Sequence, residues 1–182
     1  MTSSNVVTGK IRFSYLDVFK PRADKDGSDP KYGACLLIPK TDTATHQKIM
    51  AACEAARLES AKVFGGKVPG KLKLPIYDGD GDKPNGGEYG KECKGHWVIN
   101  ARSKYKPGVV DRNREEIFDA TEFYSGCYGR ASISFYAYNF NGNKGIAAGL
   151  NHVQKLADGA PLGGRMRVED AFADDYEDDF LD

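Results

Sequence analysis

Three stretches of this chain place residues at spacings known to do chemistry. Gly65, Gly70 and Lys71 fill their places in a phosphate-cradling Gly-x-x-x-x-Gly-Lys-Ser/Thr loop. The next residue is Leu72, which has no hydroxyl for magnesium, and the segment follows a helical pattern where such a loop would open a helix. Asp78, Asp80 and Asp82 stand where a calcium loop puts its first three ligands, yet Lys83 replaces the turn glycine and Tyr89 the bidentate glutamate. Cys93 and His96 are spaced as half of a zinc site, and Cys35, Cys53, Cys127, His46 and His152 supply no second half at ligand spacing. A nucleophile elbow and a His-Glu-x-x-His pair are also missing from the sequence. The expectation is a protein that is not an enzyme and needs neither metal nor cofactor.

What recurs instead is a cation beside a ring. Lys20 and Arg22 follow Phe19, Lys71 and Lys73 lie in a glycine- and proline-rich stretch, and Arg102, Lys104, Tyr105 and Lys106 follow an apolar run. Tyr128, Arg130, Tyr136 and Tyr138 alternate along one further segment. Cations neutralise phosphates and release counterions, while aromatic faces accept unpaired bases. Each residue taken alone is better read as a solvated lysine or an ordinary strand aromatic. The charge distribution favours the collective reading. Residues 169–182 hold eight acids and no base, so of 26 bases and 26 acids overall the first 168 residues keep 26 bases against 18 acids, a net of +8. A basic body joined to an acidic tail points to nucleic acid and to an interaction tail.

The elements that must position these residues are organised around residues 127–152. Asn141-Gly142 is the dipeptide best suited to a tight hairpin turn, and alternating residues flank it. Counting outward sends Ile133, Phe135, Ala137, Ile146, Ala148 and Leu150 to a core face. Tyr136 and Tyr138 then stand on the other face over Gly145, Ala147 and Gly149, with Tyr128 and Arg130 further along unless a bulge between 127 and 134 turns them over. Upstream, Lys10 to Tyr15 reads as a strand burying Ile11, Phe13 and Tyr15, and Tyr32 to Ile38 as a second, more fully buried one. Residues 41–43 offer an N-cap to an alanine-rich helix running to Phe64 and stopped by Gly65-Gly66. Residues 66–95 form a long basic excursion with a short strand near Leu72 to Tyr77. His96 to Ala101 is the third strand, and the hairpin supplies the last two.

The beginning MTSSNVVTGK has no apolar signal region and no segment reaches the length of a membrane span, so a soluble, cytoplasmic protein without membrane partners is expected. Four widely spaced cysteines suit buried thiols in a reducing compartment. Composition changes near residue 157, which divides the chain into a binding domain, 1–156, and a flexible acidic tail, 157–182. A homodimer is neither required nor excluded by these features.

HWVINARSKYKPGVVD (96–111), SFYAYNFNGNKGIAAGLNHVQKLADGAPLGG (134–164) and the closing DDYEDDFLD resemble the single-stranded DNA-binding proteins of tailed bacteriophages. The resemblance implies a mainly β, five-stranded Greek-key oligonucleotide-binding (OB) barrel with one α-helix. It also implies single-stranded DNA as partner in phage replication, recombination or repair. In that family the tail is a disordered DNA mimic that recruits replication or recombination proteins through acids and a terminal aromatic. In this chain Asp174, Asp175, Tyr176, Glu177, Asp178, Asp179 and Phe180 correspond, with Leu181 and Asp182 following the aromatic.

Overall fold

In a computed structural model the residues described are 3–23, 27 and 29–162. Chain order is β1 (Asn5–Val7), β2 (Ile11–Arg22), β3 (Lys31–Pro39), α1 (Thr43–Leu58), β4 (Ile76–Asp78), β5 (His96–Ser103), β6 (Gly108–Val110), β7 (Tyr128–Phe140) and β8 (Asn143–Ala157). Five strands make a ring. β2 pairs with β3, β3 with β5 and β7 with β8, all antiparallel, while β5 meets β8 in parallel and β7 returns to β2. Two short pairings close it, Ala101 and Arg102 on Ala148 and Gly149, and Ile11 and Arg12 on Gly129 and Tyr128. In chain order the ring runs first, second, third, fifth, fourth and back to first, with β3 and β5 as second and third strands. This is the partly open Greek-key barrel of the OB-fold, whose second and third strands and hairpin loops form the usual oligonucleotide face. β1, β4 and β6 add to its edges.

Alternation along the strands fills the barrel. Ile11, Phe13, Ala34, Leu36, Ile38, Ile99, Ala101, Ile133, Phe135, Ile146, Ala148 and Leu150 share one buried core. α1 adds Ile49, Ala52, Cys53 and Ala56 to it. Those four recur at helical spacing, so one stripe of the helix faces the barrel. Asp42 caps the helix by accepting from the Thr45 amide at 3.1 Å. The α-helix ends at Leu58, short of Phe64: a single 3₁₀ turn, Ser60–Lys62, follows, and Gly65 and Gly66 at positive φ then carry the chain away.

The first strand extends further than its alternation suggests. Tyr15, expected inside, is 68% exposed and takes φ 46°. An extra residue in β2 between the pairs Ser14–Cys35 and Asp17–Gly33 switches the buried side, and the strand then continues to bury Val18 and reaches Arg22. In the hairpin the extra residues lie in β8: Asn151 and Leu156 are unmatched between consecutive pairs. β7 therefore keeps strict alternation, and Tyr128, Arg130, Tyr136 and Tyr138 all stay on its outer side. Among the described residues no helix is long and apolar enough to cross a membrane.

Candidate nucleic-acid interface

The outer face of β3 and β5 becomes a cleft where the hairpin and the excursion rise beside it. Outward residues pair as Gly33 with Arg102 and Cys35 with Asn100, so Asn100 and Arg102 form the floor. Tyr136 pairs with Ala147 and Tyr138 with Gly145 on the hairpin. A Cβ on Gly145 would stand 2.8 Å from the Tyr138 hydroxyl, and one on Gly149 3.4 Å from the Tyr136 ring. Both rings thus lie over small neighbours, as the alternation predicts. Opposite them the excursion is tied to β8: the Ile146 amide donates to the Lys73 carbonyl at 2.8 Å, which sets Lys73, Leu74 and Pro75 as a wall. The resulting cleft of about 280 Å³ is lined by Lys31, Lys73, Tyr77, Asn100, Arg102, Tyr136 and Tyr138, with small β8 residues at its base. Arg22, cross-strand from Lys31, joins a smaller hollow with Asp17, Tyr32 and Arg102 at one end. Cations from β2, β3, β5 and the excursion therefore surround rings from β4 and β7. That arrangement suits a flat, unpaired base flanked by phosphates.

Other residues proposed from sequence fall elsewhere. Lys104, Tyr105 and Lys106 are exposed in the loop after β5, and Tyr105 and Lys106 line a separate cleft of about 400 Å³ further along β8. Lys20 and Lys71 are exposed and line none of these clefts. Tyr128 holds Lys10 Nζ at 5.3 Å and Arg12 Cζ at 5.4 Å over its ring, and Arg130 Nε donates to the Thr8 carbonyl at 3.1 Å. These two side chains already have partners on β2 and beside β1. Residues 174–180 of the tail lie outside the described residues. Lys31, Tyr77 and Asn100 are the cleft residues that sequence reasoning missed. Only Lys31 had a signal in the sequence, its place shortly after Lys20, Arg22 and Lys25.

A small buried cluster supports the cleft from beside. Cys35, Leu37, Cys93 and Val98 pack together with Tyr77, Tyr89 and Leu162 against them. Burial pushes the Cys35 thiol up to about 12, with neighbouring Cys93 adding to it, so both thiols act as neutral apolar groups. The calcium-like turn is occupied by the protein's own cation: Lys40 Nζ lies 2.6 Å from Asp78 and 2.7 Å from Asp80, and its hydrogen bonds hold both carboxyls below their usual range. The same ammonium sits 4.8 Å over the Trp97 ring, fixing the turn to β5.

The last described residues cross the outside of the barrel as a strap. Asp158 pairs with Lys155 at 2.6 Å, the Tyr124 hydroxyl donates to the Gly159 carbonyl at 3.0 Å, Arg12 Nη2 donates to the Ala160 carbonyl at 2.7 Å, and the Leu162 amide donates to the Ser125 carbonyl at 2.9 Å. The strap ends with Leu162 packed on the cluster that also holds Tyr77 of the cleft.

The family model described as the Enterobacter phage Enc34 ssDNA-binding protein matches residues 4–181. The chain belongs to this family. It is a family of binding proteins, not of enzymes. The single-stranded DNA-binding protein from bacteriophage Enc34, solved in complex with ssDNA, is similar at 34% identity and a TM-score of 0.74, over 88% of this chain and 90% of that one. Protein p50 of Acyrthosiphon pisum secondary endosymbiont phage 1 is 30% identical over 172 residues, 90% of each chain. The bacteriophage T7 single-stranded DNA-binding protein gp2.5, at 16% identity and a TM-score of 0.60, shares the fold.

Proposed function

We propose that this protein binds single-stranded DNA without strong sequence preference during phage replication, recombination or repair in the host cytoplasm. The observation that carries the reading is the cleft in which Tyr136 and Tyr138 face Lys73 across a floor holding Arg102, in a chain whose Enc34 relative was solved with ssDNA. Rings can stack only on bases that are not already stacked and paired, so the cleft selects single strands over duplex. Its cations follow the backbone and carry no base code, which accounts for the absence of sequence preference. The acidic tail competes with DNA for the cations and recruits replication or recombination proteins. Supporting this role, the strap brings the chain to Leu162 beside the cleft, immediately before the segment that leads into the acids.

The test is fluorescence anisotropy with a labelled oligo-dT and a duplex of equal length, each at low and high salt. Tighter binding of oligo-dT at both salts, weakening as salt rises, is the expected result. Equal affinity for the duplex would overturn the selection of single strands, and no binding to either would leave the chain as an assembly protein that acts through its tail.

A further inference from the structure

We propose that copies of this protein join head to tail, an acidic loop carrying Phe118 on one copy seating on a basic, apolar knob at the end of α1 on the next. The knob is built by the glycine-rich stretch that half-matches a phosphate loop. Gly65 and Gly66 at positive φ turn the chain after Phe64, and Arg57 Nη1 donates to the Pro69 carbonyl at 2.6 Å, which brings Pro69, and Val68 before it, back to the helix end. Leu58, Val63 and Val68, 56%, 40% and 42% exposed, therefore share this small surface. Residues 60–71 around them hold Lys62, Lys67 and Lys71 and no acid. None of these side chains lines the DNA cleft.

The complement lies at the other end of β8. Near its start Lys144 Nζ sits 5.9 Å from the ring of Phe64, beside the knob. Ten residues further on, about 32 Å of strand at a twisted rise of ~3.2 Å per residue, Gln154 donates to the Asp111 carbonyl at 3.2 Å and Lys155 to the Glu122 carbonyl. Those bonds fix a loop whose residues 115–122 hold Glu115, Glu116, Asp119 and Glu122 and no base. Ile117 and Phe123 anchor it in the core, leaving Phe118 76% exposed between them with acids on either side. A ring among carboxylates complements aliphatic side chains among ammonium groups: apolar contact forms the centre and opposite charges meet at the rim. The two surfaces differ and stand at opposite ends of one strand. Each copy can therefore receive one neighbour and dock on another, a heterologous contact that extends into a chain. The DNA cleft, at Ile146 to Ala148, lies between the two surfaces and stays open.

The full chain is followed without DNA by sedimentation velocity, and with oligo-dT of ~12 and ~60 nucleotides, room for one copy and for several, by anisotropy. Wild type should form larger species as its concentration rises at low salt and return to the monomer at high salt, where exposed charge pairs are screened. Each copy should also bind the longer strand at least about tenfold more tightly than the shorter, because a bound neighbour supplies a second contact. Phe118→Ser should abolish both effects and keep wild-type affinity for the shorter strand. Lys62→Glu with Lys67→Glu, and Glu115→Lys with Glu116→Lys, should each abolish them too. Combining the four charge reversals in one chain should restore them, since loop and knob are again opposite in sign. Circular dichroism confirms that each variant is folded. Larger species that persist in Phe118→Ser and in both paired reversals belong to another surface, the tail included, and overturn this contact. It is equally overturned by a wild type that stays monomeric and binds both lengths with equal affinity, or by four reversals that restore nothing. A wild type that associates but binds neither strand leaves the contact standing and overturns the single-strand reading.

Discussion

Tyr138 lies over Gly145, its cross-strand partner, and the Tyr136 ring reaches over Gly149, so both rings rest on residues without side chains. Stacked bases contribute roughly 1–3 kcal/mol each, so Tyr136→Ala or Tyr138→Ala should weaken oligo-dT binding by about 5- to 150-fold. The hairpin face is not the platform if titration shows both variants binding like wild type while circular dichroism shows them folded. Buried thiols give a second prediction. Cys35 and Cys53 are raised from 9.0 to about 12 by burial, with Cys93 adding at Cys35, so the folded protein holds both protons more tightly than the unfolded chain does. Their stabilisation is complete below pH ~9 and is lost as pH rises towards ~12, at about 1.4 kcal/mol per pH unit for each thiol. Urea midpoints measured across that window should fall with pH, and Cys53→Ala should fall less steeply. A midpoint that stays level from pH 9 to 11 in wild type contradicts this placement of the thiols.

At the scale of elements, the strap is held by groups that come from far along the chain. Arg12 donates to the Gly126 carbonyl at 3.2 Å and to the Ala160 carbonyl at 2.7 Å while lying over Tyr128. Removing that guanidinium by Arg12→Ala should free the strap from β2, speeding proteolysis and amide exchange at 158–162 before any effect on the barrel. Protection of the Leu162 amide at the wild-type level would show that Tyr124 and Ser125 suffice. The hairpin was readable from sequence because Asn141 and Gly142 adopt positive φ, 49° and 84°, and the flanking alternation is unbroken on β7. Half of β2 was hidden because the extra residue at Tyr15 changes the buried side midway. β1 was missed because three residues with one buried Val6 carry no pattern. Ring closure was not readable from local pattern, since each seam joins only two residues per strand across large sequence separations. For the same reason the cleft residues Lys31, Tyr77 and Asn100 could not be assembled from their neighbours in the chain. Their proximity is a product of register.

Across the whole molecule the deciding quantity is the separation of charge, a body of +8 against fourteen residues carrying eight acids. Neutralising Arg102, Lys104 or Lys106 should each flatten the slope of log affinity against log salt by about 0.7, the single-strand value per phosphate contact. An unchanged slope in the triple variant would put these cations away from the DNA path. The same electrostatics governs the tail. On the proposed reading, a polyanion joined to the chain after Leu162 would compete for these cations at about millimolar effective concentration, and DNA would have to displace it. Salt weakens both contacts, and the competition is therefore strongest at low ionic strength. Removing residues 169–182 should tighten oligo-dT binding at low salt, with the gap between truncated and full-length protein closing as salt rises. The truncated form should also lose contact with replication or recombination partners in a pull-down. Equal or weaker oligo-dT binding by the truncated form at low salt would rule out competition with DNA and leave the tail only its partner-binding role.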